Sequence, residues 1–328
     1  AWVFIRDSLA SPWAQAGNKL VGVGALPNRH FGYNITMSQS GSTIAVSGRR
    51  DNGGIGAVWI FERDGSSWVE EKKITSTNAV KGFGESLAIS ADGNTLAVAS
   101  LSQETSFRIW MFCRSTDWKE KYTILGPDPL TLDTIGIGDF PQRLGHIDMN
   151  DAGTVVVASA FSRSDNVGHS YVYDWDGDIL SLNTELVSAE NNGSFITISG
   201  DGLIILDSIK LWNTYNGAPF INNSTQSGII VWAYNGAWVR NAFDFVQDQA
   251  DHFPTSTNIE YTTITKIAQV DEGYVILAGV PEFNVVFRHF INFNVNQTIS
   301  QIITNNPTDF RSFTIFDLTN KLNELGLV

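Results

Sequence analysis

Carboxylates at alternate positions are the first residues in this chain whose spacing could do chemistry. Asp174, Asp176 and Asp178 fall within the stretch DWDGD. Hard cations such as Ca²⁺ take six to eight oxygen ligands, so three carboxylates with nearby carbonyls could begin a calcium site. The stretch also has the Asp-Gly dipeptide typical of a hairpin turn. We therefore predict a turn here and no cofactor, with these three residues as the candidates if Ca²⁺ does bind.

The histidines and the cysteine offer little else for catalysis. The five histidines form no H-x-H or H-E-x-x-H pair, and a single cysteine excludes an intrachain disulfide. His146 lies near Asp148 and Asp151 in sequence, but a Ser-His-Asp set is recognised by geometry rather than by spacing. We predict a packed, hydrogen-bonded His146 and a Cys113 that is buried as a small hydrophobic residue. The Gly-rich stretches from Asp51 and Ile135 precede no helix, so we interpret both as loops and not as phosphate sites.

The elements that must position these residues come from an internal repeat. Apolar-alternating stretches meet at a turn glycine five times, at spacings of 52, 60, 49 and 71 residues, and each pair is followed by two further strand-like stretches. Four antiparallel strands at a period near 50 indicate the blade of a β-propeller. The five turn glycines are Gly41, Gly93, Gly153, Gly202 and Gly273.

The repeat predicts one all-β domain over residues 1–328, a propeller of six blades, with seven as the alternative. Five internal blades span 31–80, 83–128, 143–190, 193–248 and 262–305. Residues 1–30 look like the third and fourth strands of a blade, and 306–328 like its first two, so one composite blade would close the ring and remove exposed sheet edges. Tryptophans support the pattern, which places Trp59, Trp110 and Trp232 in third strands, Trp68, Trp118 and Trp238 in fourth strands, and Trp2 and Trp13 at equivalent places. Trp175 and Trp212 fall outside it.

These residues resemble a known family. FG at the start of a first strand, SADGNTLAV at its turn and GAVWIFERDGSSWVEE after it are similar to the FG-GAP repeats of integrin-α-like β-propellers. WAQAGNKLVGVGAL is similar to the linker of the bacterial and large-virus members. The resemblance implies extracellular adhesion or recognition, often with calcium in blade loops. The turns here lack the family's D-x-D-x-D-G loop, so the resemblance does not carry a calcium site over.

Loop lengths suggest which end of the propeller binds a partner. Connections between strands one and two, and three and four, are short, whereas the connections at the other end are long. Binding residues are usually carried on such loops. The long connections are Gly48–Gly56, Gly126–Arg143, Ser159–Gly168, Ser208–Ser227 and Asp248–Thr262. We predict a glycan- or protein-binding site there, built from Trp212, Asn213, Tyr215, Asn216 and Phe220 with Arg49 and Arg50.

Composition limits the partners and the location. The formal net charge of −13 opposes phosphate backbones, so we expect no nucleic acid, and no apolar run is long enough to insert in a membrane. Sequons are frequent and favour an extracellular or surface-exposed glycoprotein. Asn34 should be sandwiched between blades and unmodified, whereas four others should lie in loops and accept glycans: Asn192, Asn222, Asn223 and Asn296.

Three functions remain open at this point. The preferred one is a non-catalytic recognition, adhesion or surface structural module, and hence not an enzyme. An alternative is a propeller enzyme, a glycoside hydrolase or lyase that works in the central channel. It would need ionisable residues on first strands, where Glu85, His146 and Asp148 are the exceptions among small polar residues. The third is a self-assembling subunit of a filament or virion, with sister copies as partners.

Overall fold

The computed structural model describes an all-β chain built from successive antiparallel sheets. The described residues are 1–6, 8, 11–25, 30–76, 78, 81–100, 107–126, 143–161, 168–187, 192–209, 214–215, 218–219, 228–241, 263–270, 273–280 and 285–291. Within them, the regular structure is strand except for one 3₁₀ turn at Asn52–Gly54. No helix in this part of the chain has the length and apolar character needed to cross a membrane.

Four sheets have four strands each, and every one runs in chain order from its first strand to its fourth. Sheet 1 contains β3 (Phe31–Met37), β4 (Thr43–Gly48), β5 (Ala57–Asp64) and β6 (Ser67–Ile74). Sheet 2 contains β7 (Ser86–Ile89), β8 (Thr95–Ser100), β9 (Arg108–Arg114) and β10 (Trp118–Leu125). Sheet 3 contains β11 (Arg143–Met149), β12 (Val155–Phe161), β13 (Gly168–Trp175) and β14 (Leu180–Leu186). Sheet 4 contains β15 (Asn192–Ile198), β16 (Ile204–Ile209), β19 (Gly228–Tyr234) and β20 (Trp238–Asn241).

Smaller sheets complete the described structure. Sheet 5 has three strands, β21 (Thr263–Val270), β22 (Gly273–Val280) and β23 (Val285–Ile291). An N-terminal hairpin pairs β1 (Phe4–Ile5) with β2 (Ala14–Gln15), and a hairpin after sheet 4's second strand pairs β17 (Thr214–Tyr215) with β18 (Ala218–Pro219). The predicted repeat of four antiparallel strands is thus confirmed in sheets 1 to 4. Residues 306–328, which were predicted to complete a composite blade, lie outside the described residues.

Apolar side chains fill the space between successive sheets from sheet 1 to sheet 4, as propeller packing requires. Between sheets 1 and 2 the cluster includes Val58, Ile60, Leu87 and Trp110. Similar clusters join sheets 2 and 3 through Ala97 and Tyr173, and sheets 3 and 4 through Val157 and Ile196. The alternating apolar residues of the repeat are therefore explained by burial between sheets.

The first turns of successive sheets are joined by equivalent backbone hydrogen bonds. Gln39 N–H donates to the Ala91 carbonyl at 3.1 Å, Ala91 N–H to Asp151 at 2.9 Å, and Asp151 N–H to Gly200 at 2.9 Å. All four residues stand two positions before a turn glycine. Sheets 1 to 4 are thus related by one repeated step, and their first turns gather at the same end of the molecule.

The tryptophans confirm most of the predicted pattern and correct part of it. Trp59, Trp110 and Trp232 are buried in third strands, and Trp68, Trp118 and Trp238 stand at the start of fourth strands. Trp175, predicted to fall outside the pattern, is buried at the end of the third strand β13. Trp2 and Trp13, predicted to pack in a blade, are 56% and 59% exposed. Instead, the Lys19 ammonium lies over the Trp2 ring, 4.7 Å from its centroid, and the Arg6 guanidinium lies over the Trp13 ring at 4.8 Å.

Candidate active site at the rim of sheets 1 to 4

Three polar side chains meet where sheets 1 and 2 adjoin, and we call them the rim cluster: Tyr33, Arg49 and Glu85. Tyr33 lies near the start of the first strand β3, Arg49 follows the end of β4, and Glu85 precedes β7. In an antiparallel sheet the start of the first strand and the end of the second share one end. The rim cluster therefore lies at the end opposite the turn glycines, where the long connections were predicted.

The Glu85 carboxylate is the centre of this cluster. Its Oε1 accepts from the Tyr33 hydroxyl at 2.8 Å and from Arg49 Nη1 at 3.0 Å, while Oε2 accepts from Arg49 Nη1 at 2.9 Å. The Arg49 guanidinium also stacks on the Tyr33 ring, 4.1 Å from its centroid. The side chains of Arg49 and Glu85 are 22% and 11% exposed, so this is a partly desolvated ion pair. Such charge-assisted contacts hold planar groups in one orientation.

Backbone geometry explains why Glu85 reaches Arg49 across the sheet boundary. Gly84, just before it, has a φ of +90°, and a Cβ there would lie 2.7 Å from the Cβ of Ser47. Only glycine permits this approach of sheet 2 to sheet 1. Phe83 in turn packs edge-on against Trp110 at 5.0 Å, just as Phe31 packs against Trp59 at 5.1 Å. The Phe-Gly pairs of the sequence are thus structural supports for the rim.

The Arg49 guanidinium keeps unused hydrogen-bonding capacity. Its Nε–H is buried and has no acceptor within the described part of the chain. A buried donor without an acceptor costs free energy. Arg49 shares this feature with Trp110 and Trp232, whose indole N–H groups are buried between sheets, so its candidacy for contact with a bound oxygen rests on its partly exposed position at the rim.

His146 lies at the same end, on the first strand of sheet 3. Its Nδ1 is 2.9 Å from the Ile196 carbonyl, and its ring stacks on Phe195 with centroids 4.7 Å apart. Because a carbonyl only accepts, Nδ1 carries the proton in the neutral ring and Nε2 keeps a lone pair. No hydrogen-bond partner for Nε2 occurs among the residues the structure describes. The predicted packed, hydrogen-bonded histidine is confirmed.

A β-bulge sets the position of His146. The pairing of β11 with β12 shifts register between Leu144 and His146, and the freed His146 N–H donates to the Ser159 hydroxyl at 2.9 Å. The same device recurs at the equivalent positions, from Asn34 N–H to Ser47 and from Phe195 N–H to Ser208. Bulges commonly redirect a side chain beside an active site. A serine on the second strand, opposite the bulge, is the sequence signal for this position in sheets 1, 3 and 4.

Asp148, the third ionisable residue on a first strand, has a structural role. Its Oδ2 accepts from the Thr197 hydroxyl and from Ile198 N–H at 3.1 Å, and Oδ1 accepts from Met149 N–H at 2.9 Å. These contacts tie sheet 3 to sheet 4. Asp148 is therefore not grouped with the rim cluster.

Most of the other residues predicted to bind a partner lie outside the residues that the structure describes. Trp212, Asn213, Asn216 and Phe220 lie outside the described residues, as do the sequon residues Asn222, Asn223 and Asn296. Tyr215 lies in the short strand β17, and Arg50 is exposed beside the rim. Of the predicted set, the structure places only Arg49 in a polar cluster.

Two sequons have described positions. Asn34 lies within β3, as predicted. Asn192 was predicted to lie in a loop, and this prediction is wrong: it begins the strand β15 and pairs with Ile209. The glycine between it and the serine of its sequon extends the first strand instead of ending it. Whether either asparagine carries a glycan stays a prediction.

The acidic DWDGD stretch forms a turn. Asp176 accepts from Asp178 N–H at 2.9 Å and from Ile179 N–H at 2.7 Å, whereas Asp174 accepts from Asn183 and Asp178 lies 3.6 Å from Lys121. The three carboxylates therefore have different partners. Within the described ranges, no group of three or more acidic, histidine or cysteine side chains is arranged to hold a metal ion.

The Asp176 turn gives a prediction about pH. The N–H groups of Ile179 and Asp178 stabilise its charged form and lower the pKa of Asp176. The Asp176 carboxylate therefore stabilises the folded protein fully at pH values above the usual aspartate pKa. This stabilisation is lost as the pH falls through the lowered pKa of the folded state. Asp176→Asn keeps the acceptor oxygen but cannot titrate, so the acid slope of the thermal midpoint should become modestly shallower. A pH series of thermal melts, with Asp178→Asn as the control, would refute this if both variants kept the wild-type slope.

Comparisons with known proteins give the fold but no family. No protein-family model matches the chain, and no curated protein sequence matches it. A periplasmic gluconolactonase from Pseudomonas aeruginosa is similar in structure, with a TM-score of 0.57, 11% identity, and coverage of 90% of this chain and 76% of that one. Sqt1 from Saccharomyces cerevisiae has a TM-score of 0.51 at 12% identity, covering 86% of this chain and 64% of that one. A putative 6-phosphogluconolactonase from Bacteroides uniformis has a TM-score of 0.44 at 13% identity, with 92% of each chain covered.

These comparisons correct the predicted function. We expected a non-catalytic recognition module, but an enzyme, the gluconolactonase from Pseudomonas aeruginosa, is among the similar structures. The predictions of a recognition module and of a protein that is not an enzyme are therefore wrong. At identities of 11–13% the likeness itself shows the fold alone. The chain is an all-β protein of propeller-like sheets, and its resemblance to FG-GAP repeats stays a prediction.

Proposed function

We propose that the protein is a hydrolase that opens a cyclic ester of a sugar acid at the rim of its sheets. The observations that carry the proposal lie at one end of the first strands: His146, whose Nδ1 is held by the Ile196 carbonyl, and Arg49, which is held by the Glu85 carboxylate. A general base and a positioned cation are the two groups that ester hydrolysis needs. The name of the similar Pseudomonas aeruginosa structure supports the substrate class.

His146 serves as the general base in this proposal. A water oxygen forms a bond to the lactone carbonyl carbon while its proton passes to His146 Nε2. The bond from that carbon to the ring oxygen then breaks, and the alkoxide takes the proton back from Nε2. The products are the open-chain hydroxy acid and the neutral histidine, so no other reactant is required.

The rim cluster binds and polarises the substrate in the same proposal. The Arg49 N–H groups that Glu85 leaves free donate to the carbonyl oxygen, where negative charge develops. Glu85 holds the guanidinium through Nη1, and Tyr33 covers one of its faces. Because the guanidinium is fixed before the substrate arrives, less conformational entropy is lost on binding.

Glu85→Gln tests the role of the rim cluster. An amide cannot replace the charged acceptor of Arg49, and hydrogen bonds to charged groups are worth about 1.5–3 kcal/mol. We expect kcat/KM for a sugar lactone to fall about 10- to 100-fold. The matched control is Glu70→Gln, because Glu70 lies on the fourth strand β6 and accepts from Val23 N–H away from the rim. Equal kinetics for Glu85→Gln and wild type would remove Glu85 from the site.

We propose, for the finer architecture, the six-bladed ring that the repeat predicts, with sheets 1 to 5 as its internal blades. The repeated step between sheets 1 and 4 and the likeness to propeller structures support it. We also propose a location outside the cytoplasm, which the sequon-rich sequence and the periplasmic origin in the name of the similar lactonase support. A signal-dependent export assay of the natural gene product tests the location.

A further inference from the structure

The Gly-rich stretch that begins at Asp51 belongs to the connection between β4 and β5, at the rim. We call residues 48–56 the support loop. The Asp51 N–H donates to the Gly48 carbonyl at 2.9 Å, which closes a turn with Arg49 inside it. The direction in which Arg49 leaves the backbone therefore depends on where Asp51 is held.

The far end of the support loop holds the segment that carries Glu85. The Ile55 carbonyl accepts from Phe83 N–H at 2.7 Å, and Gly56 forms a parallel bridge with the same residue. Phe83 stands two positions before Glu85. Because Arg49 stands at the near end, one loop positions both partners of the Arg49–Glu85 ion pair.

Asp51 organises the support loop between these two ends. Its carbonyl accepts from the N–H groups of Gly54 and Gly56, both at 3.0 Å, and its Oδ1 accepts from Asn52 N–H at 2.8 Å. Asn52 has a φ of +49°, which residues other than glycine rarely adopt, so the surrounding contacts must hold it. The Asp51 side chain is only 3% exposed, and a buried carboxylate requires a compensating charge.

Lys73 supplies that charge from the fourth strand β6. Its Nζ donates to Asp51 Oδ1 at 2.9 Å and to the Gly24 carbonyl at 3.4 Å, and it lies 4.6 Å from the centroid of the Trp59 ring. Lys73 stands directly opposite Trp59 in the strand pairing, so the lysine stem packs beside the ring. The outer strand of sheet 1 is thus bonded to the support loop through one charged pair.

We infer that Lys73 and Asp51 are positioning residues for the proposed hydrolysis, an inference that rests on the proposed function. Through the support loop they set the orientation in which Arg49 meets Glu85 and the substrate carbonyl. Arg49 acts on charge that develops in the transition state, so a displaced guanidinium lowers kcat more than it raises KM. A displacement of about 1 Å in a positioned group can lower a rate about 100-fold.

The NMR signal of the Arg49 Nε–H group tests the positioning without any assay of activity. In protein with isotope-labelled arginine, this signal is assigned by its disappearance in Arg49→Lys. Lys73→Met should displace it, and Lys73→Arg, which keeps a cation able to bond Asp51, should return it to the wild-type position. The matched control is Lys72→Met, because Lys72 precedes Lys73 on β6 and pairs instead with Asp117 at 2.6 Å. An Arg49 signal that Lys73→Met leaves in place would overturn the inference.

Kinetics of the same variants separates this inference from the proposed function. With a sugar lactone, Lys73→Met should lower kcat about 10- to 100-fold and leave KM within a few-fold, whereas Lys72→Met should change neither. A Lys73→Met protein with the wild-type kcat would overturn the inference. An inactive wild type would instead refute the proposed function, and the Arg49 signal would still report whether Lys73 positions the guanidinium.

A double variant keeps the test decisive when Lys73→Met alone does not fold. Combining Lys73→Met with Asp51→Asn leaves no unpaired buried carboxylate, and the side-chain oxygen at position 51 still accepts from Asn52 N–H. This protein should fold and still show a displaced Arg49 signal, because the charged bond from β6 to the support loop is gone. A folded double variant with the wild-type Arg49 signal would overturn the inference.

Discussion

His146→Ala should reduce kcat for sugar-lactone hydrolysis by about 100- to 10,000-fold, the usual contribution of a positioned general base. The imidazole is held from two sides, by the Ile196 carbonyl at 2.9 Å and by the Phe195 ring at 4.7 Å. Removing it leaves the bulged backbone in place, because the His146 N–H still donates to Ser159. The space left by the ring should admit free imidazole, which should restore part of the lost kcat.

The matched control for this variant is His169→Ala. His169 is the partly buried histidine of the third strand β13, where its Nδ1 lies 2.7 Å from Glu185. Its loss should leave kcat within a few-fold of the wild type. Stopped assays with and without imidazole would contradict the assignment if His146→Ala kept wild-type activity, or if imidazole rescued both variants alike.

Gly56→Ala should cost about 3 kcal/mol or more in the free energy of unfolding, which is exceptional for a one-methyl change. Gly56 has a φ of +108°, and a Cβ there would lie 2.1 Å from the Phe83 carbonyl oxygen. This is the point where sheets 1 and 2 are joined by a parallel backbone bridge and by the Phe83 N–H to Ile55 carbonyl hydrogen bond of 2.7 Å. The added methyl must push the two sheets apart just below the rim cluster.

Gly54→Ala separates the steric effect from backbone strain. Gly54 also has a positive φ, +98°, but a Cβ there would meet nothing within 4 Å. Gly54→Ala should lower the free energy of unfolding only by the cost of the unusual φ, about 1–2 kcal/mol. Chemical denaturation of both variants measures the difference. Equal losses would mean that the approach of Phe83 to Gly56 contributes nothing beyond the backbone conformation.

The repeat was predictable because it depends on period and turn chemistry alone. Gly41, Gly93, Gly153 and Gly202 follow first strands as expected, each with φ between +68° and +77°. The Asp176 turn was predictable for the same reason, because an Asp-Gly dipeptide is typical of a hairpin turn. Trp2 and Trp13 were misassigned because periodicity assigns a residue to a strand without saying whether a neighbouring sheet covers that strand's second face.

The site was predictable only in part because it is made by contacts between sheets. The sequence predicts Glu85, His146 and Asp148 as ionisable residues of first strands, yet only geometry shows that both oxygens of Asp148 accept hydrogen bonds from Met149, Thr197 and Ile198. Arg49 was assigned to a recognition loop, but its partner Glu85 is 36 residues away in sequence. The Asn192 error has the same origin, since the strand β15 is extended by pairing with Ile209, a long-range contact.

The most direct test of the proposed function is the rate at which the purified wild-type protein releases acid from glucono-1,5-lactone in a pH-stat. Mildly acidic pH keeps spontaneous opening of the lactone slow. Buffer without protein provides the baseline, and Glu85→Gln and His146→Ala protein are assayed at equal concentration. We expect a saturable rate above the spontaneous one for the wild type, and close to the baseline for the His146 variant. A wild-type rate equal to that of buffer, with this lactone and with other five- and six-membered sugar lactones, would contradict the account.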